Sequence, residues 1–206
     1  MRRRPAARKI SAESVALQRQ IAAAAAPVLT PLGCRQKGKS PLWIADHGLW
    51  VVLVDLQPGI VTVGASFLWW VQSRWSFDQG VRFTDLDAAE AMVQRAGEEV
   101  VTLRSRFSSM AAIAASLSAR AGDAAWPLYH AAVASGLAGE HDAARSLFRR
   151  LSERPASRDW EIELSSQARA FLKALDEPAS FRAAVGALVA EMRALQGLPP
   201  LEASLL

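Results

Sequence analysis

Histidine and cysteine are the side chains most often used for nucleophilic, acid–base or metal chemistry, and this chain has few of them. It holds three histidines, His47, His130 and His141, and one cysteine, Cys34. Their separation does not match a zinc-ligand, catalytic-triad or paired-cysteine spacing, and the sequence has no phosphate-binding glycine loop. We expect His47 in an exposed turn, His130 half-buried in a helix, and Cys34 packed as a small apolar side chain. The pattern therefore predicts no catalytic residue, no metal ligand and no cofactor.

Tryptophan is dense in one stretch, because five of the seven tryptophans fall between positions 43 and 75. Neighbouring residues on a strand face opposite sides of a sheet, so Trp69 and Trp70 cannot both lie under the same layer of helices. We expect most of these rings in the core and the others on a protein-binding surface, since tryptophan is enriched at binding hot spots. Stacking on bases or sugars beside basic side chains is the alternative. The candidate interaction surface consists of Arg35, Lys37, Lys39, Trp43, Trp70, Arg74 and Trp75.

The positive charge is concentrated at the N-terminus. Residues 1–9 contain five basic residues and no acidic one, which leaves 19 basic and 20 acidic residues in the rest of the chain. Such an arm is typical of a disordered, solubilising start, and its alternative role is to contact the phosphates of a nucleic acid. No apolar run approaches the roughly 18 residues that a membrane span needs, and polar residues interrupt any signal-peptide pattern. We expect a cytoplasmic protein without membrane contact.

Periodicity predicts one helix and then several strands in the N-terminal half. Apolar residues at three- and four-residue spacing predict a helix over 11–31, with Ser11 as its cap and prolines near its end. Residues 34–77 change to extended segments rich in β-branched and aromatic residues. The turn signals at 46–48 and 58–59 join these segments closely, which predicts an antiparallel meander of three or four strands.

From Thr84 onward the pattern is helical. Thr84 and Asp87 resemble a capping box. An apolar seam at alternating three- and four-residue spacing then predicts a long helix that packs on the sheet. The seam consists of Leu86, Ala89, Val93, Ala96, Val100, Leu103 and Phe107. Shorter helices are predicted at 110–120, 125–138, 141–153, 159–175 and 179–196.

These elements predict an α+β fold in which an N-terminal helix and an antiparallel sheet, packed by a long helix, precede an all-α region. We expect a basic arm at 1–10, an α+β module at 11–121 and a helical extension at 122–206.

Four short features carry a resemblance to a known family. They are LGCRQKGK at 32–39, Trp43, Leu56-Gln57 at the end of an apolar strand, and VTVGA at 61–65. In this order the chain resembles the bacterial family called domain of unknown function 4304 over residues 20–110. The resemblance implies an N-terminal helix, a glycine-led basic strand and two further strands, with no established activity. Cys34 stands where an aromatic is more usual, and Pro58-Gly59 makes a tighter turn than the polar loop often found there.

Residues 125–154 resemble a single tetratricopeptide-like helical hairpin. Small and large residues fall near the packing positions of that repeat, namely Leu128, Ala132, Gly139, Ala144 and Phe148. An array needs about three repeats of roughly 34 residues, and the chain has no such self-similarity. The hairpin is therefore interpreted as a packed helix pair.

The lack of a catalytic constellation, the aromatic-rich sheet and the helical tail favour a non-enzymatic protein that binds another protein. An accessory or immunity-type partner in a bacterial conflict or stress system is one such role. One alternative is a nucleic-acid accessory protein that contacts phosphates through the arm and through Arg35, Lys37 and Lys39. The other is an enzyme of unrecognised type with a perturbed group near Arg35, Asp55 or His47.

Overall fold

The computed structural model describes residues 12–86 and 88–202. The basic arm predicted at 1–10 and the helix cap predicted at Ser11 lie outside the described residues.

The described chain forms two compact units. The first comprises the described residues up to Asp46, together with Val52–Ala65 and Phe77–Val101. The second comprises His47–Val51, Ser66–Ser76 and the described residues from Thr102 onward. The segments of the two units therefore alternate along the chain.

Helix α1 (Ala12–Leu29) occupies the region predicted as the first helix. Its core-facing side chains, Ile21, Ala25 and Leu29, recur at every fourth position and are buried. Pro27 lies in the last turns of the helix, where its missing N–H removes only one hydrogen bond close to the helix end.

Five strands form one antiparallel sheet in the order in which they occur along the chain, which confirms the predicted α+β fold. They are β1 (Arg35–Gln36), β2 (Leu42–Asp46), β3 (Trp50–Gln57), β4 (Gly59–Phe67) and β5 (Gln79–Leu86). The predicted turns after β2 and β3 contain Gly48 and Gly59, with φ of 80° and 74°. Glycine adopts this left-handed backbone without steric cost, which lets the chain reverse tightly.

Strand β5 extends the sheet beyond the segments predicted from the sequence. It pairs with β4 so that Gly64 lies opposite Gly80. A Cβ on Gly64 would lie 2.8 Å from the Gln79 carbonyl oxygen, so the close approach of the two strands depends on glycine. Thr84 lies in this strand rather than at a helix start, and Asp87 is outside the described residues. The backbone hydrogen bonds of the β4–β5 pairing stabilise this segment more than a single side-chain cap at a helix start would.

Helix α2 (Ala89–Arg106) carries the predicted apolar seam. Six of the seven predicted seam residues are buried, namely Ala89, Val93, Ala96, Val100, Leu103 and Phe107. The prediction is wrong for Leu86, which ends strand β5 and is partly exposed. In the first unit, the guanidinium carbon of Arg95 lies 4.4 Å from the centroid of the Phe83 ring. A Cβ on Gly97 would lie 3.0 Å from Val28 Cγ1, so α1 and α2 approach closely at this point.

Five helices follow, with bounds within two residues of those predicted. They are α3 (Met110–Ser118), α4 (Ala125–Leu137), α5 (His141–Ser152), α6 (Asp159–Ala174) and α7 (Pro178–Gln196). Consecutive helices from α3 to α7 pack against each other, and α4 also contacts α6 and α7. Every residue of α4 from Leu128 to Leu137 is buried, so α4 is the central helix of the second unit. None of the helices in the described part of the chain combines the length and apolar character that crossing a membrane requires.

Arg193 of α7 is a buried cation in the second unit, with 4% of its surface exposed. Its Nε–H donates to the Pro199 carbonyl and its Nη1 donates to the Gly48 carbonyl, both at 2.6 Å. These two bonds fix the segment after α7 and the turn before β3 to the same side chain. A buried charge is tolerated where its donors are satisfied in this way.

Candidate functional site

The predicted interaction residues of the first unit lie on or next to the hairpin of β1 and β2. Arg35, Lys37 and Lys39 are exposed. Trp43 lies opposite Gln36 in the hairpin and is only 5% exposed, so its ring belongs to the core and is not available to a partner. The predicted interaction residues that this hairpin exposes are therefore cationic rather than aromatic.

A groove of about 510 Å³ opens beside this hairpin. One wall is a face of α1 on which Val15, Gln18, Arg19 and Ala22 recur at three- and four-residue spacing. This face is distinct from the core-facing stripe of α1. The other walls come from the β1–β2 hairpin and the β3–β4 turn, and consist of Gln36, Lys39, Ser40, Pro41, Gln57 and Pro58. We call these ten residues the basic groove.

Three glutamines of the basic groove are held in place by hydrogen bonds to other groups of the first unit. Their Nε2 groups donate as follows: Gln18 to the Leu56 carbonyl at 3.2 Å, Gln36 to the Ser40 carbonyl at 2.9 Å, and Gln57 to Asp55 Oδ2 at 2.7 Å. An amide fixed through one N–H keeps a carbonyl oxygen as an acceptor of up to two further hydrogen bonds. The groove therefore presents oriented amide groups.

The charged side chains of the basic groove are Arg19 and Lys39, and both are exposed. Among the described residues that line it, none is acidic. Val15 adds an apolar surface, since 40% of this large hydrophobic residue is exposed. The arrangement suits a ligand that combines negative charge with apolar and amide groups.

The other predicted interaction residues, Trp70, Arg74 and Trp75, lie in the second unit, in the segment after β4. Trp70 and Trp75 are half-buried and Arg74 is exposed. The segment is attached to α7 because Gln196 Nε2 donates to the Gln72 carbonyl at 3.1 Å.

Trp70 contacts two aromatic side chains, and one of them, Trp126, leads to a further tryptophan that the sequence analysis did not select. The Trp70 ring meets Trp126 edge to face, with centroids 5.0 Å apart and an interplanar angle of 83°. Trp126 stacks on Trp160 at 5.8 Å and 10°. All three rings are half-buried. We call Trp70, Trp126 and Trp160 the tryptophan cluster, and it presents aromatic surface from three separate segments of the second unit.

The tryptophan cluster rests on a buried network. His130 stacks on Trp126 at 5.7 Å, and its Nδ1 accepts a hydrogen bond from the Trp69 indole N–H at 3.0 Å. The Tyr129 hydroxyl donates to the Trp69 carbonyl at 2.8 Å, and burial raises the pKa of this phenol. The polar groups of this network hold neighbouring rings in fixed positions.

The other side chains that the sequence singled out, His130, Cys34 and His47, are buried or partly buried and pack against neighbouring residues. His130 is 4% exposed and so more buried than expected, while Cys34 is 1% exposed, as expected of a small apolar side chain. His47 lies in the turn before β3 but is only partly exposed, and its ring stacks on Trp50 with centroids 4.4 Å apart.

A pattern in the sequence could have identified Trp126 and Trp160. Each is the second residue of its helix, α4 or α6, and α5 lies between these helices along the chain. Two helices separated by one antiparallel helix begin at the same end of a bundle, so two tryptophans at their starts are expected to meet. Arg19 of the basic groove offered no comparable signal, because only the fold brings it near the hairpin.

Within the described residues, no group of three or more histidine, cysteine or acidic side chains is arranged to hold a metal ion. No protein-family model matches the chain, and neither the search of curated proteins nor the search of solved structures finds a similar protein. The resemblance to domain of unknown function 4304 therefore stays a prediction.

Proposed function

We propose that the protein is a non-enzymatic interaction module that binds another protein through the tryptophan cluster. The observation that carries this proposal is the contact of three half-buried tryptophans, Trp70, Trp126 and Trp160, on one unit. Tryptophan is the residue type most enriched at the energetic centres of protein interfaces. Partly exposed tryptophans that touch one another form an apolar surface of the kind that partners cover.

The support beneath the cluster favours tight binding. Association normally loses free energy when flexible side chains are ordered at the interface. Trp126 is packed between His130 and Trp160, and His130 is itself fixed by its hydrogen bond to Trp69. The rings are thus held in place before a partner binds, so the free-energy cost of ordering these side chains on binding is small.

The environment of His130 also fits a binding role better than a catalytic one. Its Nδ1 is engaged by the Trp69 indole, and rings of Phe67, Trp126 and Tyr129 surround it. The imidazole positions aromatic side chains in this arrangement. A role as an accessory or immunity-type partner is consistent with such a surface.

The experiment begins with affinity purification from the native host, followed by measurement of the dissociation constant for the recovered partner. Trp160→Ala is the informative variant, because Trp160 lies at the start of α6 and its ring is partly exposed. Ile162→Ala is the matched control, since Ile162 is 55% exposed and lies two residues along the same helix on a different face.

We expect Trp160→Ala to weaken binding by about 30-fold or more, as for a hot-spot residue, and Ile162→Ala to change it less than about twofold. Circular dichroism and thermal unfolding check that both variants fold. Equal affinity of the wild type and Trp160→Ala contradicts the proposal, and so does a wild type that retains no partner.

A further inference from the structure

We infer that the basic groove of the first unit is a second binding site, and that it takes an extended acidic peptide segment of a partner protein. The inference concerns residues distinct from the tryptophan cluster and is tested separately from it. The occupant is defined by three features of the groove: its charge, its amide groups and its apolar surface.

Charge complementarity identifies the acidic character of the ligand. Arg19 on α1 and Lys39 on the hairpin line the groove, and no carboxylate is among its described lining residues. Asp55, which is linked to the groove through Gln57, accepts a hydrogen bond from the Gln57 amide at 2.7 Å. Arg35 and Lys37 are exposed on the same hairpin and extend the positive surface. Complementary charge gives such a site its specificity and a fast association rate.

The backbone of the hairpin identifies the extended character of the ligand. The Lys37 N–H donates to the Leu42 carbonyl at 2.8 Å. Successive residues of an antiparallel strand point their N–H and C=O groups to opposite sides, so those of Gln36 point away from β2. Because β1 is at the edge of the sheet, no strand of the described sheet pairs with these groups, and Gln36 lines the groove, so the main chain of an extended peptide there can bond to them. The fixed glutamine amides supply further partners for a peptide main chain.

The lining favours a peptide over a nucleic acid. Proteins that bind single strands combine positive charge with aromatic rings on which the bases stack. The basic groove is lined by aliphatic, amide, hydroxyl and cationic side chains, and its apolar part consists of Val15, Ala22, Pro41 and Pro58. This surface accommodates aliphatic side chains between the acidic residues of a peptide.

The test is a fluorescence anisotropy titration of the full chain at about 50 mM salt, where charge effects are large. The probe is a labelled peptide of alternating glutamate and valine. A matched peptide carries glutamine in place of each glutamate, and a labelled oligo-dT of equal charge tests nucleic acid. We expect the glutamate peptide to bind at least about tenfold more tightly than the glutamine peptide and more tightly than oligo-dT.

Charge reversals locate the site. Arg19→Glu and Lys39→Glu change exposed side chains, so the variants fold, and each should weaken binding of the glutamate peptide by about five- to tenfold. Arg82→Glu is the matched control, because Arg82 is an exposed arginine of the same unit on β5, at the other edge of the sheet. It should change the affinity less than about twofold.

A full-length variant with Arg2, Arg3 and Arg4 changed to glutamine separates the groove from the basic arm. We expect it to keep its peptide affinity. Four results overturn the inference: equal binding of the two peptides, tighter binding of oligo-dT, an equal effect of Arg82→Glu, or binding that depends on the arm and not on the groove. None of these results bears on Trp160→Ala, so the two proposals fail independently.

Discussion

Gly136→Ala tests the packing of α4 against α7 in the second unit. A Cβ at this position would lie 2.5 and 2.6 Å from Cε1 and Cζ of Phe181, about 1 Å closer than an ordinary contact. Phe181 is fully buried and meets Phe171 edge to face at 5.3 Å, so its ring cannot retreat without moving other rings. Overpacking of this kind costs about 1–3 kcal/mol, whereas alanine in place of glycine in a helix gains about 0.5–1 kcal/mol.

The net expectation is a loss of about 1–2 kcal/mol, which lowers Tm by about 2–8 °C for a chain of this size. Urea unfolding followed by circular dichroism measures the free energy. Phe181→Leu removes the ring edge that the added methyl group at position 136 would meet. The double variant should therefore be more stable than the sum of the two single effects predicts, by about 1 kcal/mol. A Gly136→Ala variant as stable as the wild type, with additive effects in the double variant, would refute the close approach of α4 and α7.

Three further predictions concern polar groups. Burial raises the pKa of Tyr129, the only tyrosine of the chain, so phenolate absorbance should appear only when the protein unfolds. The free energy of unfolding should fall as pH rises above about 10, because the phenol ionises first in the unfolded chain. Phenolate absorbance from the folded protein near pH 10 would contradict this burial. Arg193→Met should lose about 1–3 kcal/mol in urea unfolding, because the Gly48 and Pro199 carbonyls lose their charged donor; an unchanged midpoint would contradict these contacts. Backbone hydrogen bonds at the start of α6 lower the pKa of Glu161 below its ordinary value of 4.5. The wild type should therefore be more stable than Glu161→Gln at neutral pH, and this difference should disappear as pH falls below 4.5. A stability difference that does not change with pH would contradict this role.

Much of the fold could be predicted because it depends on local patterns. Glycine in a turn sequence predicts a positive φ, and Gly48 and Gly59 have one. Gly139 and Gly197, which follow helices, also have left-handed backbone. The apolar period of α2 follows directly from the geometry of a helix. Strand β5 was missed because its pairing with β4 is a long-range contact, and the paired glycines Gly64 and Gly80 resemble ordinary loop residues in the sequence.

The candidate surfaces were harder to predict, because exposure depends on tertiary packing. Trp43 and Trp70 belong to the same dense stretch, yet the first is buried and the second is half-buried. Trp126 and Trp160 lie outside that stretch and meet only when α4, α5 and α6 pack together. Lys39 was selected for its charge, whereas its role in a groove depends on the position of α1.

The central claim is that a partner covers the tryptophan cluster, and indole N–H signals in a ¹⁵N–¹H spectrum test it most directly. Each of the seven tryptophans gives one such signal, so the spectrum reports on every ring separately. We predict that adding the recovered partner shifts or broadens the signals of Trp70, Trp126 and Trp160 and leaves that of the buried Trp43 unchanged. Unchanged signals from the cluster in a saturated complex would contradict the account.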